Sequence, residues 1–536
     1  MKNWACLKFK SGRSSGLWTL LALGFIFVNT SIVNGSGITS DNLTGGMTGC
    51  VTGGVTIAVV DSGVDLQHSF ISSHIWSNPL EFPDNGFDDD ANGCIDDFFG
   101  WNFADGDNLV FDRSLMGSFS EDHYRFLELQ GKLTNNTITS EDVAWARERV
   151  QDEKFLQQTE LFGNFIHGTH VAGISINKSA KNKVMSVKII STKIEITGAA
   201  EGAATGTSGS ANENDPIYTD YREASAHGFK EMALIRYLLN GLIGREMKNM
   251  GEIVKYLHHQ RVRVANCSFG TSMEEGQKIV KVMFEEFIKR TPTPRESLLA
   301  TQYFLDRLLN AGNSVYAQAP NTLFVFAAGN SHSNNDTVVA SPANVKRLNT
   351  ISVAATLGDR SLADFSNYGK KMVDVAAPGV AISSSVPSTT EDRFLGLSGT
   401  SQAAPAVSNI AAEVLNLNPI LTPAQIKEVI MKTVDVKSFL RGKVLTSGMV
   451  NKQRAMKAAE LSRRYPLSKA IALSRNLVKP TARSATMSFD SDGREGIGVG
   501  DSLNELGARQ LYPELDFVLP LPSEFSLIKY GKKYSL

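Results

Sequence analysis

From Val55 onward the chain alternates short apolar runs with segments of helical period. TIAVV (56–60), VMSVKII (184–190), VRVANCS (262–268), LFVFAA (323–328), TISVAA (350–355) and VDVAAP (373–378) are compact runs rich in Val, Ile and Phe. Continuous apolar runs of this length, closed by turn residues, read as strands buried on both faces. Residues 221–260 carry apolar side chains at helical spacing (MALIRYLL, EIVKYLHH), and so do 273–290, 297–309 and 401–416. Strands alternating with helices predict the α/β class: a mostly parallel central sheet, helices on both faces, three layers in all. Residues 105–165 interrupt the rhythm with mixed-charge helical patterns and read as an insertion. Residues 198–214 are small, polar and glycine-rich and read as a loop. After Arg464 the rhythm stops, and the tail is polar except for FVLPLP (517–522). The expected organisation is a leader at 1–35, a short segment at 36–54, one domain at 55–462 and a tail of unassigned role at 463–536. Helical insertions fall at about 105–165, 195–250 and 273–310 of that domain.

Composition narrows the class. The 536 residues are 42% hydrophobic and 20% charged, too apolar and too weakly charged for a disordered chain. Lys and Arg number 54 against 55 Asp and Glu, a formal balance of −1, which excludes nucleic-acid binding by bulk charge. The first residues form an address. Lys2, Lys8, Lys10 and Arg13 make a positive head, Leu17 to Val28 an apolar core, and Val33 and Gly35 fit a cleavage signal. A spanning helix needs about 20 apolar residues, so the expectation is a secretory signal, no permanent membrane anchor, and a secreted or periplasmic protein. Cys50, Cys94 and Cys267 remain after its removal, an odd count without metal-like spacing, open to one disulfide or to three free thiols.

Four apolar runs end where chemistry collects, since open α/β sheets bind ligands at the carboxyl ends of their strands. IAVVDSGVD (57–65) closes on Asp61, and HGTHVAG (167–173) starts with His167. FVFAAGN (324–330) closes on Asn330, and SGTSQAAPA (398–406) turns into a helix at Ser401. Singly, each has a plain structural reading: Asp61 and Ser401 as helix caps, His167 as a core histidine, Asn330 as a turn residue. Together they supply acyl transfer. A serine hydroxyl needs a base to become nucleophilic, and histidine serves near neutral pH. A buried carboxylate fixes the histidine tautomer, and an amide donates to the developing oxyanion.

These segments resemble those of the subtilisin-like serine proteases (subtilases, peptidase family S8). HGTHVAG and GTSQAAP are similar almost letter for letter to the family's histidine and serine motifs, AAGN to its oxyanion motif, and the order Asp61, His167, Ser401 is the family's. The resemblance implies an exported serine endopeptidase acting through an acyl-enzyme on protein or peptide substrates. Asp61 would orient, His167 act as base, Ser401 attack and Asn330 donate to the oxyanion, with His170 at the non-catalytic position. NCSFG (266–270) resembles the family's substrate-binding strand, which implies substrate contacts at Ser268, Phe269 and Gly270. DFSNYG (364–369) and VAAPGV (375–380) resemble core segments. Where secreted family members carry a folding-assisting propeptide, only about 20 residues separate the leader from the first strand. A separate folding helper or inhibitor, or the tail, is therefore a candidate partner.

The chemistry itself requires no cofactor. The segment after HGTHVAG (ISINKSAKNKVMSVKI) lacks the family's usual calcium-loop pattern. DDDANGCIDD (88–97) offers another: Asp88, Asp90, Asn92 and Gly93 match the start of a calcium loop, but Phe99 stands where its closing glutamate belongs. The reading leaves metal ligands unassigned and weighs a structural calcium against an acidic turn held by Asx bonds. His258 and His259 read as favourable charge at a helix end, His332 as a loop residue, and KYGKK (529–533) as solvated. Two competing functions stand beside the peptidase: a non-catalytic scaffold of the same fold, and a protease restricted to itself or one partner by its insertions.

Overall fold

The computed structural model describes residues 54–134, 137–190, 216–389 and 392–480. The leader, most of the 36–54 segment with Cys50, the glycine-rich stretch 198–214 and the tail beyond 480 lie outside the described residues.

All six expected strands form, each within a residue or two of its apolar run. They are β1 (Thr56–Asp61), β3 (Lys183–Lys188), β4 (Val264–Cys267), β5 (Leu323–Ala327), β6 (Thr350–Leu357) and β8 (Val375–Pro378). Short strands the sequence did not announce complete the set: β2 (Gly100–Asn102), β7 (Ser361–Leu362), the hairpin β9 (Ile382–Val386) and β10 (Arg393–Leu397), and β11 (Asp435–Val436) with β12 (Gly448–Met449). One ten-stranded sheet runs β11-β12-β8-β6-β5-β4-β1-β3-β2, with β7 beside β6. Every pairing in it is parallel except β11 with β12 and β6 with β7. Parallel strands must be joined by crossovers, and the helical segments of the sequence supply them.

The helices follow in chain order after a single turn at Ser69–Ser72. α1 (Glu121–Thr134), α2 (Ser140–Arg149) and α3 (Glu153–Ile176) cover the first insertion and continue into the HGTHVAG segment. α4 (Pro216–Ala226), α5 (Glu231–His259), α6 (Met273–Met283) and α7 (Pro294–Val315) follow. α8 (Thr400–Leu417), α9 (Pro423–Lys432), α10 (Lys452–Ser462) and α11 (Leu467–Leu477) close the order. The starts of α2, α6, α7 and α9 each carry a full capping box, at Thr139–Asp142, Ser272–Glu275, Thr293–Glu296 and Thr422–Gln425. Each such cap is worth about 1 kcal/mol, which lets peripheral helices stand with little core beneath them.

The sheet separates two cores. On one face Ile57, Val264, Val325 and Val353 meet Val407, Ile410 and Val414 of α8, a helix buried over most of its length. On the other, Ala58, Val60, Met185, Phe324 and Phe326 meet Met250, Ile253, Val254 and Leu257 of α5. The insertions hold smaller cores of their own. α4, the N-terminal half of α5, α6 and α7 bury Leu238, Leu239, Phe284 and Phe304 among themselves. α1, α2 and the start of α3 enclose Phe126, Leu129 and Phe155.

The packed unit continues past the expected boundary at 462. Ile471 of α11 joins the main core, and Ala470 and Ser474 are buried beside it. Leu467, Ala470, Ile471 and Ser474 stand at helical spacing, a signal masked in the sequence by the surrounding charges. Cys94 and Cys267 are buried free thiols. No helix among the described residues is long and apolar enough to cross a membrane.

Candidate active site

β1 delivers Asp61 to its carboxyl end, buried with 1% of its surface exposed. Its Oδ1 accepts the backbone N–H of Ser62 at 2.8 Å and lies 2.7 Å from Nδ1 of His167. That contact fixes the imidazole tautomer, because a carboxylate accepts only and Nδ1 must carry the proton. Two glycines let α3 come this close. A Cβ on Gly168 would lie 2.2 Å from the Gly63 carbonyl, and one on Gly63, at φ +105°, 2.2 Å from the Val110 carbonyl. The Gly168 N–H donates to Ser62 Oγ, and the Asp65 N–H donates to Thr169 Oγ1. Every letter of HGT is thereby spent on holding the helix against the β1 turn.

Ser401 is the second residue of α8 and buried. Pro405, four residues on, has no N–H to give the Ser401 carbonyl. Ser268 fills the gap: its Oγ donates to the Ser401 carbonyl at 2.9 Å, while Ser401 Oγ donates to the Ser268 carbonyl at 3.2 Å. Behind it, Asn266 Nδ2 donates to Ser268 Oγ and Ser408 Oγ to Asn266 Oδ1. The hydroxyl is thus bonded to the carbonyl of the residue that follows β4.

Asn330 follows β5. Its Oδ1 accepts both the backbone N–H and the hydroxyl of Thr400, at 2.9 and 2.8 Å. This pair orients the amide, and Nδ2 is left buried without a partner. A buried donor with no acceptor is costly unless a ligand completes it. Nδ2 and the backbone nitrogen of Ser401 lie 3.5 and 3.6 Å from one point, the position a Cβ on Gly399 would take. Gly399 gives α8 no side-chain cap, so these two N–H donors stand at the helix N-terminus beside Gln402 Oε1, which lies 2.6 Å from the same point.

The 268–270 segment divides its work. The Ser268 side chain faces inward to Ser401, and Phe269 is half-buried against the α5-side core. Gly270 is exposed, and a Cβ there would meet the Ser341 carbonyl at 2.8 Å. His170 is fully buried: Nε2 lies 3.0 and 2.9 Å from the carbonyls of Ile382 and Leu395, and burial pushes its pKa down to about 3. It is a neutral bracket for the β9–β10 hairpin. His332 is exposed on its loop.

The acidic run 88–97 is built differently from the expected loop. Asp88 accepts the backbone N–H groups of Asn92 and Gly93, so it shapes the turn. The carboxylates that converge are Glu81, Asp90 and Asp97, with oxygens within 4.8 Å of one another. The end of α5 closes the pocket: Tyr256 OH donates to Asp97 at 2.6 Å, Gln260 Nε2 to Asp90 at 2.9 Å, and His259 Nδ1 stands 3.8 Å from Asp90. His259 therefore serves this pocket rather than only the helix end. Asn78 donates to both aspartates. Burial pushes Asp97 up to about 7, and Glu81 is raised for the same reason. Glu81 Oε2 is buried without a partner. Hard oxygen donors, an orphaned carboxylate oxygen and a carboxyl that burial makes harder to ionise fit a hard divalent cation, which would offset these costs. Glu81, Asn78, Tyr256 and Gln260 were invisible in the sequence, because none is spaced with the acidic run.

Sheet, crossover helices, a strand-end Asp–His pair and a serine at a helix start define an α/β protein of hydrolase type. The family model of the subtilases matches residues 52–465, and the chain belongs to that family. Subtilisin NAT of Bacillus subtilis subsp. natto is 38% identical over 132 residues, 24% of this chain and 32% of that protein. Alkaline elastase YaB of Bacillus sp. (strain YaB) is 34% identical over 152 residues, 27% of this chain and 37% of that protein. The chain thus spans about a third of the length of these curated relatives. Among solved structures, a lanthipeptide protease superposes with a TM-score of 0.41 at 16% identity, covering 75% of this chain and 88% of the other. A cold-adapted subtilisin-like serine proteinase gives 0.33 at 19%, covering 81% and 99%.

Proposed function

We propose that this subtilase is an exported serine endopeptidase with Asp61, His167 and Ser401 as its triad and Asn330 as oxyanion donor. The observation that carries the reading is the buried Asp61–His167 contact at 2.7 Å together with the partnerless Asn330 Nδ2 beside Ser401. A peptide lies extended along 268–270 and bonds through its backbone. Ser401 Oγ leaves the Ser268 carbonyl, gives its proton to His167 Nε2 and attacks the scissile carbonyl. Asp61 steadies the imidazolium, and the Ser401 N–H and Asn330 Nδ2 receive the oxyanion. His167 then protonates the leaving amine, and water, activated by the same base, releases the acyl group. The leader-like first 35 residues support export.

Two measurements test this reading. A serine-directed phosphonate should label the wild type once, with the adduct on Ser401, and the protein should cut casein. Labelling without casein cleavage would favour the restricted protease, and no labelling the scaffold. Asn330→Ala should lower kcat by about 10²–10³ while KM changes little, because the donor is used by the oxyanion rather than by the ground-state carbonyl. An unchanged kcat would remove Asn330 from the mechanism.

The same reading places a structural calcium on Glu81, Asp90 and Asp97, outside the chemistry. Calcium at about a hundredfold excess over Kd should add about 2.7 kcal/mol of stability, a rise of a few degrees in Tm. Asp90→Ala should abolish the rise. The sign of the pH dependence follows from Asp97. Unfolded, it ionises near 3.9, and folded without the ion near 7, so its burial costs stability increasingly as pH climbs from about 4 to 7. Calcium needs the ionised form, so its stabilising effect should grow across that window. Thermal melts with and without the ion at several pH values check both statements.

A further inference from the structure

At the amino ends of the strands, the rim opposite to Asp61, lies a cavity of about 680 Å³. It is lined by the turn before β5, by Lys346, Arg347 and Leu348 ahead of β6, by Asp374 ahead of β8, by Leu445, and by α9 with the Thr422 cap. Its apolar walls meet water, with Leu348 78% and Leu445 48% exposed. Large apolar groups left in water around a concave surface mark a place where something binds. The charges are lopsided: among the described residues Lys346, Arg347 and Lys427 line the cavity against the single carboxylate of Asp374. That carboxylate is already committed, since it pairs with Lys346, accepts the Ser352 N–H and stands 3.5 Å from Lys427. Arg347 donates through NH1 to the Asn313 carbonyl, but its Nε is buried without a partner. Burial lowers the Lys427 pKa against the pull of Asp374, and Lys346 adds to the fall. Such a cavity suits acidic groups carried on an apolar body.

The sequence beyond Pro480 contains a stretch of that chemistry. Residues 490–524 hold eight acidic side chains against two basic ones, and PELDFVLPLP (513–522) sets Glu514 and Asp516 directly before Phe517, Leu519 and Leu521. The last described turn lies beside the end of α9. Arg454 Nε donates to the Val478 carbonyl, while its NH1 donates to the carbonyls of Thr433 and Val434, just past that helix. The ten residues of α9 span about 15 Å, and the cavity lies along them. The 32 residues 481–512 reach at most about 100 Å, so length permits the return. We propose that PELDFVLPLP of the same chain docks in this cavity, with Glu514 and Asp516 meeting Lys346, Arg347 and Lys427, and with Phe517, Leu519 and Leu521 covering Leu348 and Leu445. The acids balance the excess cations and give Arg347 Nε its acceptor. Tethering favours the chain's own segment over that of a second copy, because a short linker holds it at an effective concentration in the millimolar range.

The test uses the full chain on the Ser401→Ala background, so that self-cleavage cannot remove the segment. p-Benzoylphenylalanine replaces Phe517, and its photoadducts are mapped by mass spectrometry in a mixture of heavy- and light-isotope protein. The adducts should fall on peptides that contain Leu348, Met431 or Leu445, and within single chains. Leu348→Glu removes an apolar wall and places a carboxylate among the cations, at a position exposed enough to spare the core. It should lower the adduct yield about tenfold, and Glu514→Lys with Asp516→Lys should do the same. Adducts scattered over the surface, adducts that join heavy to light chains, or a yield unchanged by Leu348→Glu overturn the assignment. A second measurement uses a fluorescent peptide of residues 511–524, followed by anisotropy. It should bind the Glu514→Lys/Asp516→Lys chain about tenfold or more tightly than the chain whose own segment is intact, because only the latter already fills the cavity. Equal affinity for the two chains, or no binding to either, overturns the assignment as well.

Discussion

Ser401→Ala should leave a folded protein whose kcat on any peptide is lower by about 10⁶. On the proposed mechanism the size follows from the shared task of the triad: once the hydroxyl is gone, His167 and Asp61 have no proton to move, so their contributions vanish with it. What survives is water attack assisted by the Asn330 and Ser401 N–H donors, worth about 10³–10⁴ over the uncatalysed reaction. The fold should tolerate the change. The Ser401 carbonyl keeps its bond from Ser268 Oγ, and the lost hydroxyl bond to the Ser268 carbonyl is a single contact at 3.2 Å. Single-turnover kinetics with a chromogenic peptide measures the effect. A loss of less than about tenfold would show that Ser401 is not the nucleophile.

Asp61→Asn is the second large effect, about 10⁴ in kcat at neutral pH. Asp61 Oδ1 holds both the Ser62 N–H and the His167 ring, and Oδ2 is buried with no partner. An asparagine that keeps its oxygen on Ser62 and His167 is a neutral, weaker acceptor and leaves its NH₂ buried where Oδ2 has no partner, whereas one that flips turns its NH₂ toward Nδ1. Nδ1 of His167 then faces no carboxylate, the other tautomer gains, and Nε2 arrives already protonated and useless as a base. The imidazolium formed during attack also loses its counter-charge. Burial matters to the magnitude: with 1% exposure at Asp61 and 7% at His167, water cannot substitute for the missing charge. The pH–rate profile separates this from simple misfolding. A tautomer defect leaves activity that recovers at high pH, whereas a collapsed site leaves none.

The two effects differ because the groups differ in what they touch. In the proposed mechanism Ser401 forms and breaks bonds, whereas Asp61 acts through His167. Neither argument requires the insertions.

Periodicity and strand-end chemistry made much of this legible. The six strands from Thr56 to Pro378 are apolar on both faces, so their runs are continuous and their ends abrupt. HGTHVAG and GTSQAAP are legible because close backbone approach admits only glycine at 168 and because proline at 405 frees a carbonyl, both constraints written in single letters. β2, β7, β11 and β12 were not legible, since two- or three-residue strands carry no period and exist only because a neighbour's edge is there to pair with. The acidic pocket was legible in half: the aspartates announce themselves, but Glu81 reaches them around a turn and Tyr256 and Gln260 from a helix far along the chain. Ser268, expected beside the substrate, also pairs with Ser401 through its side chain, because orientation across a sheet edge is set by packing that no local pattern records. The amino-acid order by itself determined the sheet, the crossover helices and the residue types at each strand end. Only the tertiary structure decided which oxygens and nitrogens are left without partners, Asn330 Nδ2, Glu81 Oε2 and Glu160 Oε1, because satisfaction of a buried polar atom depends on every element packed around it.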